Sequence, residues 1–140
     1  MAQTDTQTGG ATKQPLQVGG SADDAMATRL PPHSIQAEAS VLGSMILEAG
    51  AIDIVVQILQ AENFYRPAHR IVYEALLALR EKNEPVDIVQ LRDVLAQRKQ
   101  LEAVGGVDYL VALAESVPSA ANAEYYARTV RDRALLRQLI

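Results

Sequence analysis

GGVDYLVALAESVPSAANAEYYARTVRDRALLRQLI, residues 105–140, decides the fold. Two glycines open it, a Pro-Ser-Ala-Ala-Asn turn divides it, and both halves repeat apolar residues at the roughly 3.6-residue period of an α-helix. Laid out at about 100° per residue, the first half spreads Val107, Tyr109, Leu110, Val111, Leu113, Ala114 and Val117 across roughly 200° of arc. Only a strip with Asp108, Ala112, Glu115 and Ser116 is left for water. A helix on a single neighbour needs an apolar stripe little wider than about 100°, so this one is expected to have partners on two sides. Pro118, with Ser119 or Asn122 as caps, then reverses the chain, and so short a connection makes neighbouring helices antiparallel. The expectation is a helical hairpin.

The second helix of that hairpin changes its apolar side. Ala123, Tyr126, Ala127, Val130 and Ala134 share one face, whereas Leu135, Leu136, Leu139 and Ile140 lie nearly opposite, together with Tyr125. One packing partner cannot serve both halves. No Gly, Asn or Pro closes the helix, and its second half needs a partner that the first does not supply. It is also locally basic, with Arg128, Arg131, Arg133 and Arg137 against Glu124 and Asp132.

Upstream of the hairpin the pattern is again helical. Ile35, Ala39, Leu42 and Ile46 form one stripe behind a Ser34 cap, preceded by Pro31 and Pro32, which stiffen the chain. After a break at Gly50, Ile52, Val55, Val56 and Leu59 define a shorter helix. In the next, Ile71, Val72, Ala75, Leu76 and Leu79 face inward, with Arg70, Glu74 and Glu81 outward. Asp87 stands three residues before Gln90, a capping pattern for a helix with Ile88, Leu91 and Leu95 inside. Val86, Ile88 and Val89 also suit a short strand, but the LRDVLAQRKQ that follows favours helix. Residues 1–30, rich in Thr, Gln, Gly and Ala without periodicity, are expected to be a disordered tail. The expected fold is therefore all-α: a globular helical subdomain over 31–104, then a C-terminal antiparallel helical hairpin over 105–140.

Composition narrows the function. At 140 residues and 49% hydrophobic content the chain has room for one real core, and its net charge of −4 lacks the basic footprint of a dedicated nucleic-acid binder. Cysteine is absent, which removes disulfides and thiolate metal sites and suits a reducing cytoplasm. No apolar run approaches the roughly 20 residues of a membrane span. The two histidines, His33 and His69, sit on different elements with no HExxH-type pair, so no metal site is expected. The G-x-x-x-x-G-K-[ST] phosphate loop is missing, as is any Gly-framed nucleophile, so no catalytic residue is assigned. FYRPAHR mixes aromatic and basic residues, but aromatics before a Pro-started helix more often anchor a turn to the core. QRKQ at 97–100 reads as a solvated helix end rather than a nucleic-acid contact. What remains is surplus apolar surface on the hairpin, and such surface marks protein interfaces.

PPHSIQAEASVLGSMIL, ENFYRPAHRIVYEAL, NEPVDIVQL and GGVDYLVALAESVPSAANAEYYARTVRDRALLRQLI, in this order and spacing, resemble the N-terminal domain of the bacterial replicative DNA helicase, the DnaB family. The resemblance runs from about Leu30 to Ile140; Gln36 stands where many members carry Glu. It implies a non-catalytic collar domain of a ring-shaped hexamer that unwinds DNA 5′ to 3′ at the cytoplasmic replication fork. The ATP- and Mg-dependent motor would follow this domain. It also implies self-pairing of hairpins into a trimer of dimers, docking of a DnaG-type primase, and a helicase loader as a further partner. On that basis the pairing surface is expected at Leu110, Leu113, Val117, Tyr126 and Val130, and the primase-facing surface at Tyr109 and Ile140. Two rival readings are a free-standing helical dimerisation or adaptor module, and a DNA-binding regulator using Arg128, Arg131 and Arg133.

Overall fold

A computed structural model describes residues 30–140 of the chain; the tail expected over residues 1–30 lies almost wholly outside the described residues. Residues Pro32–Ile140 form one compact unit. Among the described residues every regular element is helical, and none is long and apolar enough to cross a membrane. The all-helical expectation holds, and the strand considered around Val86–Val89 is not formed.

The first helix, α1 (Ile35–Leu47), starts where expected, because the Ser34 Oγ accepts a hydrogen bond from the Ala37 N–H at 3.2 Å. It is the centre of the fold. Ala37, Val41, Leu42, Met45 and Ile46 are all buried, and so are Ser40, Gly43 and Ser44. A helix enclosed this completely needs its polar groups satisfied from within. Ser40 and Ser44 achieve that by donating to the carbonyls of Gln36 and Ser40, both at 2.8 Å.

The break after α1 falls at Glu48, in extended backbone at φ −146°, rather than at Gly50. Gly50 lies inside α2 (Ala49–Val55), on an exposed side where nothing forces an interruption. Ala51, Ile52 and Val55 bury α2, but Val56, expected inward, is exposed. A 3-10 turn, Ala61–Asn63, then leads to α3 (Pro67–Glu81), whose buried side is His69, Val72, Tyr73, Ala75, Leu76 and Leu79. Helix α4 (Ile88–Gln97) is capped as expected, with Asp87 Oδ1 accepting from the Gln90 N–H at 2.8 Å. The short α5 (Leu101–Val104) ends on Gly105, whose φ of 109° belongs to the left-handed region that favours glycine.

Two helices close the chain, α6 (Gly106–Ala114) and α7 (Ala123–Arg137). Their relation differs from a hairpin zipped along its own seam. Each packs chiefly against α1, and α6 also packs against α4 and α5, while α6 and α7 touch one another only slightly. Leu110, Leu113, Ala123, Ala127 and Val130 share one core with Leu42, Leu76 and Leu91. The boundary expected at residue 104/105 therefore does not separate two packing units. The physical reason is α1: a central helix buried on all sides takes up the faces that α6 and α7 would otherwise offer each other. Gly43 allows the closest approach, since a Cβ there would collide with the Leu113 carbonyl oxygen and come within 2.8 Å of Ser116 Oγ.

Candidate interaction site

The residues expected to pair subunits lie in the interior. Leu110, Leu113, Val117 and Val130 are buried within the chain itself, and Tyr126 is half-buried against the same core. Leu110, Leu113, Val117 and Val130 thus present almost no surface to a second subunit in this fold, whereas Tyr126 keeps an accessible part. The two-sided apolar arc on α6 is real, but both of its neighbours are intramolecular: α1 on one side, α4 and α5 on the other. An apolar arc reports the number of partners and not which chain they belong to.

Tyr109 occupies a half-exposed position at the end of a buried polar chain. Glu38 on α1 and His69 on α3 are 1% and 0% exposed, with the carboxylate 2.7 Å from His69 Nδ1. Glu38 also accepts from the backbone N–H groups of Tyr65 at 2.6 Å and Arg66 at 3.4 Å. On the other edge of the imidazole, Nε2 lies 2.6 Å from the Tyr109 hydroxyl, which accepts from Arg66 Nη1 at 3.3 Å. One direction of donation satisfies every group: Arg66 to Tyr109, Tyr109 to His69 Nε2, and His69 Nδ1–H to Glu38. The rings of His69 and Tyr109 stack at 5.9 Å, and the Arg66 guanidinium stands 5.4 Å from the centre of the Tyr109 ring. Burial raises the Tyr109 phenol above its ordinary range; Arg66 opposes that rise and Glu38 adds to it. Tyr109 thus stays a neutral donor, and the network joins α1, α3 and α6 at one point.

Sequence reasoning did not single out Glu38 or the buried role of His69, although a signal existed. Glu38 falls three residues after Ile35 and four before Leu42, on the apolar stripe itself. His69 likewise falls on the stripe of Val72 and Tyr73. A charged or titratable residue on a core-facing position implies a buried partner.

FYRPAHR is used internally throughout. Phe64 is in the core, Tyr65 stacks on His33 at 4.1 Å, and Arg70 Nε donates to the Phe64 carbonyl at 2.7 Å. Three of the four arginines on α7 are also engaged: Arg128 with Glu124 at 2.8 Å, Arg133 with the His33 carbonyl, and Arg137 with the carbonyls of Pro32 and Asn63. That leaves little of the cationic surface a DNA-binding helix requires. No group of His, Asp and Glu among the described residues is arranged to hold a metal ion.

Leu47, Ile54, Val56, Val89 and Tyr125 are exposed at scattered positions, but exposed apolar residues follow one another most closely at the end of α7 and just beyond it. Leu135 and Leu136 are each 47% exposed, Leu139 82% and Ile140 85%. With Asp132 and Gln138, the three leucines line a shallow apolar depression. The change of face between Ala134, which is buried, and Leu135 is present as expected, and Ile140 is freely accessible.

Comparison with known proteins places most of the chain in one family. The DnaB-like helicase N terminal domain family matches residues 30–132. The chain is 48% identical over 112 residues to the replicative DNA helicase DnaB of Geobacillus stearothermophilus, covering 80% of this chain and 25% of that protein. It is 44% identical over 117 residues to the replicative DNA helicase DnaC of Bacillus subtilis (strain 168), covering 84% and 26%. The chain thus spans about a quarter of the length of these relatives. The crystal structure of the N-terminal domain of DnaB helicase from Mycobacterium tuberculosis superposes with a TM-score of 0.77 at 47% identity, covering 79% of this chain and 76% of that one. In sequence over most of its length and in the arrangement of its helices, the chain belongs to the DnaB-like helicase N-terminal domain family.

Proposed function

We propose that this chain is the collar domain of a hexameric ATP-dependent replicative DNA helicase, where it pairs subunits in the ring and offers a docking surface to a DnaG-type primase. The observation that carries this reading is the exposed apolar end of α7 on a domain whose core is otherwise closed. Burying one Leu or Ile side chain contributes about 1.5–3 kcal/mol, so Leu135, Leu136, Leu139 and Ile140 together can anchor a protein contact. Subunit pairing is assigned to that end and not to Leu110, Leu113 or Val130, which the core already uses, nor to Val117, which is also buried. Primase contact is assigned to Ile140 and to the exposed edge of Tyr109 beside Arg66.

ATP and Mg would serve the motor that lies in the remaining three-quarters of such a helicase; the sequence here has no phosphate loop to hold them. The domain's part is mechanical, holding the ring and recruiting primase while DNA passes. A net charge of −4 agrees with a collar that does not grip DNA.

Sedimentation of the 140-residue chain, alone and with the C-terminal domain of primase, tests the reading. Self-association or complex formation that is lost in Leu139→Glu/Ile140→Glu supports it. If the chain stays monomeric and ignores primase, the collar reading is wrong. Self-association without any response to primase points instead to a free-standing dimerisation module.

A further inference from the structure

Arg133 and Arg137 stand one turn apart on the same side of α7, a spacing at which like charges repel. A carboxylate on a neighbouring row would relieve such a pair, and this chain is not short of carboxylates, with 17 Asp and Glu against 13 Lys and Arg. Elsewhere that solution is used: Arg80 meets Asp53 and Arg128 meets Glu124. Here the side chains turn to neutral carbonyls instead. Arg137 donates from Nη1 to Pro32 at 2.8 Å and from Nη2 to Asn63 at 2.7 Å, and Arg133 Nη1 donates to His33 at 3.2 Å. Arg70 does the same on the next residue of that loop, giving Nε to the Phe64 carbonyl at 2.7 Å although Glu74 stands one turn along α3. Among the described residues, none of these three guanidiniums has a carboxylate oxygen within 4.0 Å.

We propose that Arg133 and Arg137, flanked by Arg70, form a cationic corner that receives an acidic segment of a protein partner, one carrying at least two closely spaced Asp or Glu. Carbonyls fix a guanidinium in place without cancelling its charge. Each guanidinium has five N–H donors, of which these bonds take two on Arg137 and one on Arg133. The donors left over match the geometry of a carboxylate. Because the two side chains are half-buried and already positioned, little rotamer freedom remains to be lost on binding.

Nucleic acid suits the corner less well. Single-strand binders stack bases on open aromatic faces, whereas the Tyr65 ring is stacked on His33 at 4.1 Å and has the Arg137 guanidinium 5.5 Å from its centre. A phosphate track needs a longer run of positive charge, and Glu62 and Asp132, next in sequence to Asn63 and Arg133, interrupt it. A short acidic peptide needs neither. The inference does not rest on the collar reading. Leu135 and Leu139 lie on the other side of α7 and are left to whatever contact they make.

A 1H–15N titration of the 140-residue chain with a synthetic hexaglutamate peptide at low salt tests the corner, read at the arginine Nε–Hε resonances. Saturable shifts are expected at Arg133, Arg137 and Arg70, and none at Arg98, which is exposed just past α4 and also lacks an ion pair. Arg133→Gln gives up one intramolecular hydrogen bond and should weaken hexaglutamate roughly tenfold or more, the equivalent of one charge-assisted hydrogen bond. Arg98→Gln should leave its affinity unchanged. If Arg133→Gln does not fold, the wild-type shift map decides alone. The proposal is overturned if hexaglutamate produces no saturable shift, if the shifts centre on Arg98 or Arg131, or if oligothymidylate moves Arg133 and Arg137 at lower concentration than hexaglutamate does.

Discussion

Glu38 illustrates how much one core position can carry. Replacing it with Ala strands the His69 Nδ1–H and the Tyr65 N–H in a dry interior, at about 1–3 kcal/mol for each donor left without an acceptor. Glu38→Gln keeps the shape and one carbonyl oxygen, while its amide obliges His69 to move its proton to Nε2. Denaturant unfolding should accordingly show a large loss for Glu38→Ala and less than half of it for Glu38→Gln, with 15N shifts of His69 reporting the changed tautomer. Equal losses would mean that the network is not organised by the direction of donation described above. Tyr73 supplies a pH test. Its hydroxyl donates to the Leu59 carbonyl at 2.8 Å, and burial raises its pKa from an ordinary value of 10.0 to about 12. A group raised in the folded state contributes stability that is complete below the unfolded pKa and is lost as pH rises through the folded one. The wild type should therefore lose stability between about pH 10 and 12. Tyr73→Phe should be about 1 kcal/mol less stable at neutral pH but show a shallower alkaline decline, part of which persists because Tyr109 is raised in the same direction.

Helix starts and stripes were legible because their causes are local. The Ser34 and Asp87 caps depend on residues three positions apart, and both form as read; replacing either with Ala should cost about 1 kcal/mol. Helix partners were not legible in the same way. The arc on α6 correctly implied two neighbours, yet nothing within residues 105–140 indicates that α1 lies between α6 and α7 and takes the faces expected to pair. The missing clue was in α1 itself, where Ser40, Gly43 and Ser44 make the helix small enough on its polar-looking side to be enclosed. Gly43 tests this packing directly. An added methyl must displace the α6 backbone at Leu113, since a main-chain carbonyl cannot swing aside like a long side chain. Gly43→Ala raises helix propensity by about 1 kcal/mol, so an isolated helix would gain from it. Here overpacking should win, with a net loss of about 1–3 kcal/mol in thermal or chemical unfolding. The same change at the exposed Gly50, where a Cβ meets nothing within 4 Å, should stabilise.

At the scale of the whole molecule, the core and the interaction surface are separable, and the separation occurs along one helix. Up to Ala134, α7 is buried against α1 and α2; from Leu135 onward its apolar residues point to solvent. Leu139 and Ile140 contribute little to folding because most of their surface stays exposed in the folded state, and Leu135 and Leu136 contribute less than a core leucine because about half of theirs does. Leu135→Glu/Leu139→Glu should therefore leave the midpoint of unfolding of the dilute monomer within the roughly 0.5 kcal/mol typical of surface substitutions. If those leucines form the contact between subunits, the same pair of carboxylates must be desolvated in the assembled state, and association should fall by at least tenfold, equivalent to about 1.4 kcal/mol. Val130→Glu gives the opposite pattern, since it places a charge in the shared core and should unfold the domain before any interface is tested. Measuring unfolding and sedimentation on the same samples distinguishes the two. A double glutamate variant that unfolds would place Leu135 and Leu139 in the core, whereas one that folds and still self-associates would move the subunit contact off the end of α7.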